Sequence, residues 1–251
     1  MNLLACRSCF FPCLPQCYLS AALEEGWAVV AAEYRSGSAG WHGRDMVEDA
    51  LDLLTWVLKE GPRKGLNPRK VVVMGGSAGA HIGLLASLVA NNAAKDKVVK
   101  GVVARYGAIG NLTAAYAEHA SRVPRGLGEL LSTLQPGGSS TRVRGWDEKA
   151  ALEHIAGGGK SLEAELEYLS PTTHVGPWAP PTVVLHSTQD EFYSSRHVAD
   201  FTSAMHQAKR PLLTIEPRLH SHGCDIGSTA PFQLTKYALV GLLRAVNAGK
   251  E

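Results

Sequence analysis

The sequence predicts an α/β fold, built on a mostly parallel β-sheet that is flanked by helices. From residue 18 onward, short apolar runs of strand length alternate with longer stretches in which apolar residues recur at helical spacing. The chain has 251 residues, 45% hydrophobic and 19% charged, so it is long enough for one sizeable domain. This length and composition exclude a disulfide-stapled miniprotein and a wholly disordered chain.

The charge balance and the apolar runs exclude two further classes. A formal net charge of +2 gives no electrostatic footprint for a nucleic-acid-binding protein. No window approaches the ~18 consecutive apolar residues that span a bilayer, since the longest apolar stretches are short pieces such as 27–32 and 82–86. We therefore expect a cytoplasmic protein with no nucleic-acid partner and no membrane span. The sequence assigns no oligomeric state.

The first 106 residues contain three predicted strands and three predicted helices. The strands are apolar runs bounded by glycine or polar residues, over 27–32, 70–74 and 101–106. The helices are predicted over 20–25, 46–57 and 80–89, and Gly26 and Gly61-Pro62 end the first two. One face of the second helix carries the apolar residues Met46, Ala50, Leu53, Leu54 and Val57, at i, i+4, i+7, i+8 and i+11.

Residues 111–170 interrupt this alternation. They contain helix-like pieces over 128–134, 148–155 and 162–169, separated by glycine-rich stretches, and we interpret them as a helical cap inserted over one end of the sheet. The alternation resumes with a strand over 181–186, a helix over 196–208, a strand over 212–216 and a helix over 232–246. We predict a single domain over 18–251 that includes this cap.

The first 17 residues form an atypical cysteine-rich segment. It contains four of the five cysteines, Cys6, Cys9, Cys13 and Cys17, whereas Cys224 lies near the other end of the chain. Cys6-x2-Cys9 begins like a zinc knuckle, but no second pair follows to complete four ligands, so we assign no metal site. Reversible acylation of these cysteines, and membrane association through it, stays open.

The sharpest local motif is Gly75-x-Ser77-x-Gly79, between a valine-rich strand and a helix. In a nucleophile elbow the serine sits on a strained turn, and glycines two residues before and after it avoid collisions between strand and helix. The turn projects the serine hydroxyl above the sheet and directs the amides of the helix N-terminus at a developing oxyanion. We predict Ser77 as the nucleophile, Gly75, Gly76 and Gly79 as elbow residues and the Ala78 N–H as an oxyanion donor.

An acid is expected after the elbow, because nucleophile elbows are followed by the acid and then the histidine. Asp190 ends a short polar loop after the strand over 181–186, and a carboxylate there can accept a hydrogen bond from the Nδ1–H of the base. Glu191 is the alternative acid.

The base is expected in the loop after the strand over 212–216, which contains His220 and His222. We favour His222, since the following Gly223 allows close backbone approach, and keep His220 as the alternative. His81 lies one turn into the elbow helix, where we expect it to pack or to bond a backbone carbonyl.

Several stretches of the sequence carry a family resemblance. They are Glu33-Tyr34-Arg35, Arg44 to Asp49, Met74 to Ile82, Tyr168 to Pro171 and Pro180 to His186, together with Asp190. They resemble the α/β-hydrolase fold-3 esterases related to hormone-sensitive lipase, and within them the isoprenylcysteine methylesterases and kynurenine-formamidase-like enzymes. The resemblance covers roughly residues 21–245 with a divergent middle.

The resemblance implies an α/β-hydrolase fold and a serine hydrolase that cleaves a small carboxylic ester through Ser77, Asp190 and His222. It implies neither a metal nor an organic cofactor. The ester suggested first is a prenylcysteine methyl ester, and an arylformamide is second. A non-catalytic binding protein is the alternative from another class, as the gibberellin receptors are in this superfamily. Those receptors lose the histidine, so the presence of His222 favours the enzyme.

The chain departs from the family pattern near its N-terminus. The family has a His-Gly-Gly-Gly loop that completes the oxyanion hole. Counting back from the predicted helix and strand places this loop among Leu4 to Phe11, but the first glycine of the chain is Gly26. Loss of one oxyanion donor costs roughly a hundred- to a thousand-fold in rate. We therefore expect an N-terminally truncated hydrolase fold. Either the N-terminal segment supplies substitute N–H groups, or the activity is impaired, or the chain is an incomplete gene product, and the missing loop also favours the non-catalytic alternative.

Overall fold

The structure is a computed structural model, and it describes residues 2–6, 16–35, 39–121, 148–157, 161–226 and 229–250. The strands within these ranges are β1 Asn2–Cys6, β2 Trp27–Ala31, β3 Val71–Gly76, β4 Gly101–Arg105, β5 Thr182–Leu185 and β6 Leu212–Ile215. They form one parallel sheet in the order β2-β1-β3-β4-β5-β6. The α-helices are α1 Gln16–Glu24, α2 Gly43–Lys59, α3 Ala78–Ala94, α4 Leu112–Ser121, α5 Glu148–Ala156, α6 Leu162–Leu169, α7 Arg196–Gln207 and α8 Ala230–Asn247.

Each strand that the sequence predicts is present, with ends that differ by one or two residues. The predicted helices in the described ranges are also present, although α1 begins at Gln16 and not at Ser20. The helix predicted over 128–134 lies outside the described residues. The predicted α/β fold with a mostly parallel sheet flanked by helices is therefore confirmed.

Strand β1 lies inside the sheet, in the segment that the sequence analysis separated from the domain. Asn2 pairs with Trp27 of β2 on one side, and Leu3 pairs with Val71 of β3 on the other. Both pairings are parallel, so β1 ends at the edge of the sheet where β3 also ends. The parallel crossover explains this position, because α1 returns the chain so that β2 can run beside β1.

The core lies on both faces of the sheet because successive strand residues point to opposite sides. On one face, Val71 and Val73 pack with buried residues of α2, α3 and α7. On the other face, Val72 and Met74 pack with buried residues of α1 and α8, among them Tyr18. All six residues of β3 are buried, as expected of an interior parallel strand covered on both faces.

The described part of the predicted cap consists of α4, α5 and α6, which contact one another, and α5 and α6 also contact α2. Arg44 at the start of α2 holds α6 through two hydrogen bonds of 3.0 Å to the Glu165 carboxylate. The Arg44 guanidinium also lies 3.8 Å from the centre of the Tyr168 ring. The described cap helices thus follow β4 in the chain, and the Arg44–Glu165 ion pair attaches α6 to α2.

Candidate active site

The turn between β3 and α3 places Ser77 in a strained backbone conformation. Its φ is 54° and its ψ is −127°, a combination that residues with a side chain rarely adopt. The Ser77 N–H donates a hydrogen bond of 2.9 Å to the Arg105 carbonyl of β4, which fixes the turn to the next strand. A Cβ on Gly75 would lie 2.2 Å from the Gly79 carbonyl oxygen, so this approach of strand and helix requires glycine.

Three side chains from distant parts of the chain form one hydrogen-bonded row. His222 Nε2 lies 3.0 Å from Ser77 Oγ, and His222 Nδ1 lies 2.8 Å from Asp190 Oδ2. The Asp190 side chain is fully buried and that of His222 is 15% exposed. The structure therefore brings together the serine, histidine and aspartate that the sequence analysis favoured.

The Asp190 carboxylate is held in place by the chain that follows it. Its Oδ1 atom accepts hydrogen bonds from the Phe192 N–H at 2.9 Å and the Tyr193 N–H at 3.0 Å. Its Oδ2 atom is left to face the imidazole of His222. These two bonds fix the orientation of the carboxylate.

The alternative residues occupy different positions. Glu191 Oε2 accepts a hydrogen bond of 2.8 Å from the His222 backbone N–H, so this acid contacts the histidine loop and not the ring. The ring of His220 is partly exposed and its Nδ1 lies 2.7 Å from the Arg218 carbonyl oxygen. The structure therefore distinguishes two histidines that the sequence left open. Gly223, with φ of +72°, shapes the turn that follows His222.

Aromatic rings surround the imidazole of His222. The ring centroids of Phe192, Tyr106 and Tyr193 lie 4.6, 4.8 and 5.8 Å from it. The Tyr106 ring meets it edge to face, and burial raises the pKa of the Tyr106 hydroxyl. These contacts limit the ring positions that His222 can adopt.

The Ala78 amide is the first of α3, and amides in the first turn of a helix have no partner within the helix. The stretch in which the family's second oxyanion donor is expected includes the end of β1, and its residues 7–11 lie outside the described part. Because β1 is parallel to β3, the chain leaves β1 at the edge of the sheet that carries Ser77.

Two buried features lie near the site: the His81 ring, whose contact the sequence predicted, and an ion pair that it did not predict. His81 Nδ1 lies 2.9 Å from the Ala108 carbonyl oxygen, as expected, and burial lowers the pKa of this histidine to about 4. Arg105 and Asp225 form a buried ion pair that the sequence did not predict, and their closest atoms are 2.7 Å apart. An arginine that ends a strand and an aspartate in a loop give no sequence signal that they meet.

The cysteine-rich segment is only partly described. Cys17 is exposed and Cys224 is buried, and neither forms a disulfide, whereas Cys9 and Cys13 lie outside the described residues. Within the described ranges, no group of three or more His, Cys, Asp or Glu side chains could hold a metal ion. The helices of those ranges include none with the length and apolar character of a membrane span.

A family model and two curated proteins match most of this chain. The model of the BD-FAE family matches residues 14–205, which is more than half of the chain. The probable carboxylic ester hydrolase LipM of Mycobacterium tuberculosis is 27% identical over 239 residues, covering 92% of this chain and 49% of that protein. Esterase LipQ of the same organism is 25% identical over 246 residues, covering 92% and 51%. The chain thus spans about half the length of the curated relatives it matches.

Solved structures share the fold. The apo form of Thermogutta terrifontis esterase 2 superposes with a TM-score of 0.68 at 20% identity, covering 99% of this chain and 84% of that one. The propionate-bound form of that thermophilic esterase gives a TM-score of 0.66 at 19% identity, covering 99% and 83%. Likeness at this level of identity shows the α/β-hydrolase fold.

Proposed function

Because the chain belongs to the BD-FAE family and has an α/β-hydrolase fold, we propose that it is a serine hydrolase that cleaves small carboxylic esters. The observation that carries the proposal is the hydrogen-bonded row of Ser77, His222 and Asp190. The names of the curated relatives, a probable carboxylic ester hydrolase and an esterase, support the same reaction.

The first step is acylation of the serine. Ser77 Oγ attacks the ester carbonyl carbon while His222 Nε2 takes its proton, across the 3.0 Å that separates them. Asp190, bonded to Nδ1, holds the ring in the tautomer whose Nε2 can accept and stabilises the imidazolium that forms. The proton then passes to the departing alkoxide, the ester C–O bond breaks and an acyl group remains on Ser77.

The second step is hydrolysis of the acyl group. Water attacks the acyl carbonyl while His222 takes its proton, and the Ser77 oxygen leaves with that proton. In both steps the Ala78 N–H donates to the oxyanion, and the N-terminus of α3 favours negative charge there. These steps require neither a metal nor an organic cofactor.

The geometry at the histidine supports catalysis over a purely binding role. A binding protein on this scaffold has no need for an imidazole bonded on one side to a buried carboxylate and on the other to the serine. Both bonds are present at hydrogen-bonding distance, and the acid is itself fixed by two backbone amides. This arrangement holds the imidazole in the tautomer with the proton on Nδ1 before substrate binds.

The alcohol and acyl groups of the ester define the substrate more closely. The sequence resemblance to isoprenylcysteine methylesterases makes a prenylcysteine methyl ester the first specific substrate to assay. An arylformamide is the second, because the same groups can cleave a formyl amide bond. Short-chain aryl esters serve as the general probe.

The proposal is tested by turnover of a short-chain p-nitrophenyl ester. We expect the wild-type protein to hydrolyse it with kcat at least ~10³-fold above that of Ser77→Ala. Saturable binding of the ester without turnover above the Ser77→Ala variant would instead support the binding protein. The same assay with a prenylcysteine methyl ester and an arylformamide ranks the substrates by kcat/KM.

A further inference from the structure

A buried ion pair ties the loop of His222 to the end of strand β4. Arg105 Nη1 donates a hydrogen bond of 2.7 Å to Asp225 Oδ2, and the two side chains are 1% and 0% exposed. Asp225 lies three residues after His222 in the same turn, which is closed by a hydrogen bond of 2.9 Å from the Ile226 N–H to the Gly223 carbonyl. The position of this turn therefore depends on where Arg105 holds Asp225.

Arg105 also contacts the elbow. Its carbonyl oxygen accepts the hydrogen bond from the Ser77 N–H at 2.9 Å. Its guanidinium packs against the residue before the serine, because a Cβ on Gly76 would come within 2.9 Å of Arg105 Nη2. One residue therefore touches the backbone at the candidate nucleophile and, through Asp225, the loop of the candidate base.

Two tyrosines complete the surroundings of the pair. The Tyr18 hydroxyl donates a hydrogen bond of 2.8 Å to the same Asp225 Oδ2 atom, and Tyr18 is fully buried. The Arg105 guanidinium lies 5.1 Å from the Tyr18 ring centroid and 5.3 Å from that of Tyr106. Since the Tyr106 ring also contacts the His222 imidazole, the charged cluster reaches the base by a second route.

We propose that the Arg105–Asp225 ion pair, together with the Tyr18 hydroxyl, is a positioning unit that sets the distance between His222 Nε2 and Ser77 Oγ. The inference rests on the function proposed above, which assigns the base and the nucleophile. A buried ion pair is a poor source of stability, because desolvation of both charges offsets their attraction and an apolar pair of similar volume often serves as well. Its directional bonds, in contrast, fix a geometry that apolar contacts leave loose.

The first test separates positioning from folding with the double variant Arg105→Met/Asp225→Leu, which replaces the pair by apolar side chains and leaves no unpaired buried charge. We expect a folded protein whose kcat on the aryl ester falls by ~10–100-fold while KM changes less than ~3-fold, because misplacement of a catalytic group costs about this much. The matched control is Glu25→Gln, which breaks the surface pair with Arg244, and we expect both constants to stay within ~2-fold of wild type. A folded double variant with wild-type kcat would overturn the proposal.

Tyr18→Phe decides the question if the double variant fails to fold. It removes one hydroxyl from the cluster and keeps the ring. We expect kcat to fall by ~3–10-fold while KM changes less than ~3-fold. An unchanged kcat in a Tyr18→Phe protein would overturn the proposal in that case.

A spectroscopic readout keeps this inference separable from the proposed function. The His222 Nδ1–H proton, bonded to Asp190, should give a strongly downfield proton resonance in the wild-type protein and in Glu25→Gln, with no substrate present. We expect the resonance to broaden or disappear in the double variant, and a resonance that stays sharp and unshifted would overturn the inference. A wild-type protein that shows the resonance but hydrolyses no ester would instead count against the proposed function alone, and the variant spectra would still decide the positioning role.

Discussion

Asp190 and Glu191 are adjacent carboxylates whose contacts assign them different parts. Asp190 accepts from the ring of His222, whereas Glu191 accepts from the backbone N–H of the same residue. We expect Asp190→Asn to lower kcat by ~10³–10⁴-fold, because an amide at this position favours the wrong tautomer of the ring. Glu191→Gln keeps an oxygen that can accept from the amide, so its kcat should fall by less than ~10-fold. Ester turnover of both variants measures this, and a larger loss in Glu191→Gln would contradict the assignment.

His81 predicts a pH dependence of stability. Burial lowers its pKa from 6.5 to about 4, so the folded chain keeps this ring neutral where the unfolded chain protonates it. Because the folded pKa is the lower one, the contribution is fully present above the unfolded pKa of 6.5 and is lost as the pH falls towards 4. The loss from this group is about 3 kcal/mol.

Replacement of His81 measures that contribution. We expect the free energy of unfolding to fall less between pH 7 and pH 4 in His81→Gln than in the wild-type protein, since glutamine does not titrate. Urea unfolding at the two pH values gives the difference. Equal losses in the two proteins would contradict the assignment to His81.

The choice between His220 and His222 shows where residue-level prediction from sequence ends. Both histidines follow β6 within a few residues, and the sequence favours His222 through the glycine that follows it, Gly223. The structure separates them by contacts made over 145 positions of chain, between His222 and Ser77. A pattern read locally contains no such contact.

At the scale of elements, the elbow depends on the close approach of β3 and α3. A Cβ on Gly75 would lie 2.2 Å from the Gly79 carbonyl oxygen, so Gly75→Ala should lower the free energy of unfolding by about 1–3 kcal/mol or more and also lower kcat. Gly241→Ala on α8 is the matched control, because its Cβ would meet nothing within 4 Å and helix propensity favours alanine by up to about 1 kcal/mol. Urea unfolding of the two variants tests this, and a Gly75→Ala protein as stable as Gly241→Ala would show that position 75 does not require glycine.

The cap is an element whose attachment is testable. Arg44 joins α2 to α6 through Glu165, whose side chain is 9% exposed, while the arginine is 44% exposed. We expect Glu165→Gln to destabilise this attachment by about 1 kcal/mol and to speed amide hydrogen exchange across α5 and α6. Glu60→Gln, which breaks an exposed pair with Arg63 outside the cap, should change this exchange little. Similar exchange in the two variants would contradict a role for Arg44 in holding the cap.

Helix and strand periodicity made most elements predictable from the sequence, but not all. The apolar residues of α2 recur at helical spacing, and the valine run of β3 has the length and composition of a buried strand. Both elements are present in the structure. The sequence did not predict strand β1, because Asn2–Cys6 lies in a cysteine-rich stretch and pairs with strands that come later in the chain.

For the whole molecule, the order of the strands explains why the site lies where it does. Strands β3, β4 and β5 are neighbours and parallel, so Ser77, Arg105 and the loop with Asp190 leave the sheet at one edge. The fold class, the elbow at Ser77 and the loops that contain the acid and the histidine could be predicted from the sequence, because the elbow motif and the polar loops after two predicted strands are local features. The Arg105–Asp225 pair could not, because its residues are 120 positions apart and neither belongs to a motif.

Labelling with a fluorophosphonate probe measures whether Ser77 is a nucleophile that His222 activates. We expect one label per chain on the peptide containing Ser77, no label on Ser77→Ala, and a labelling rate ~10²–10⁴-fold lower in His222→Ala than in the wild-type protein. His220→Ala, which removes a partly exposed ring 2.7 Å from a backbone carbonyl of its own loop, should label at the wild-type rate. Full labelling of Ser77→Ala, or loss of labelling in His220→Ala but not in His222→Ala, would contradict the claim.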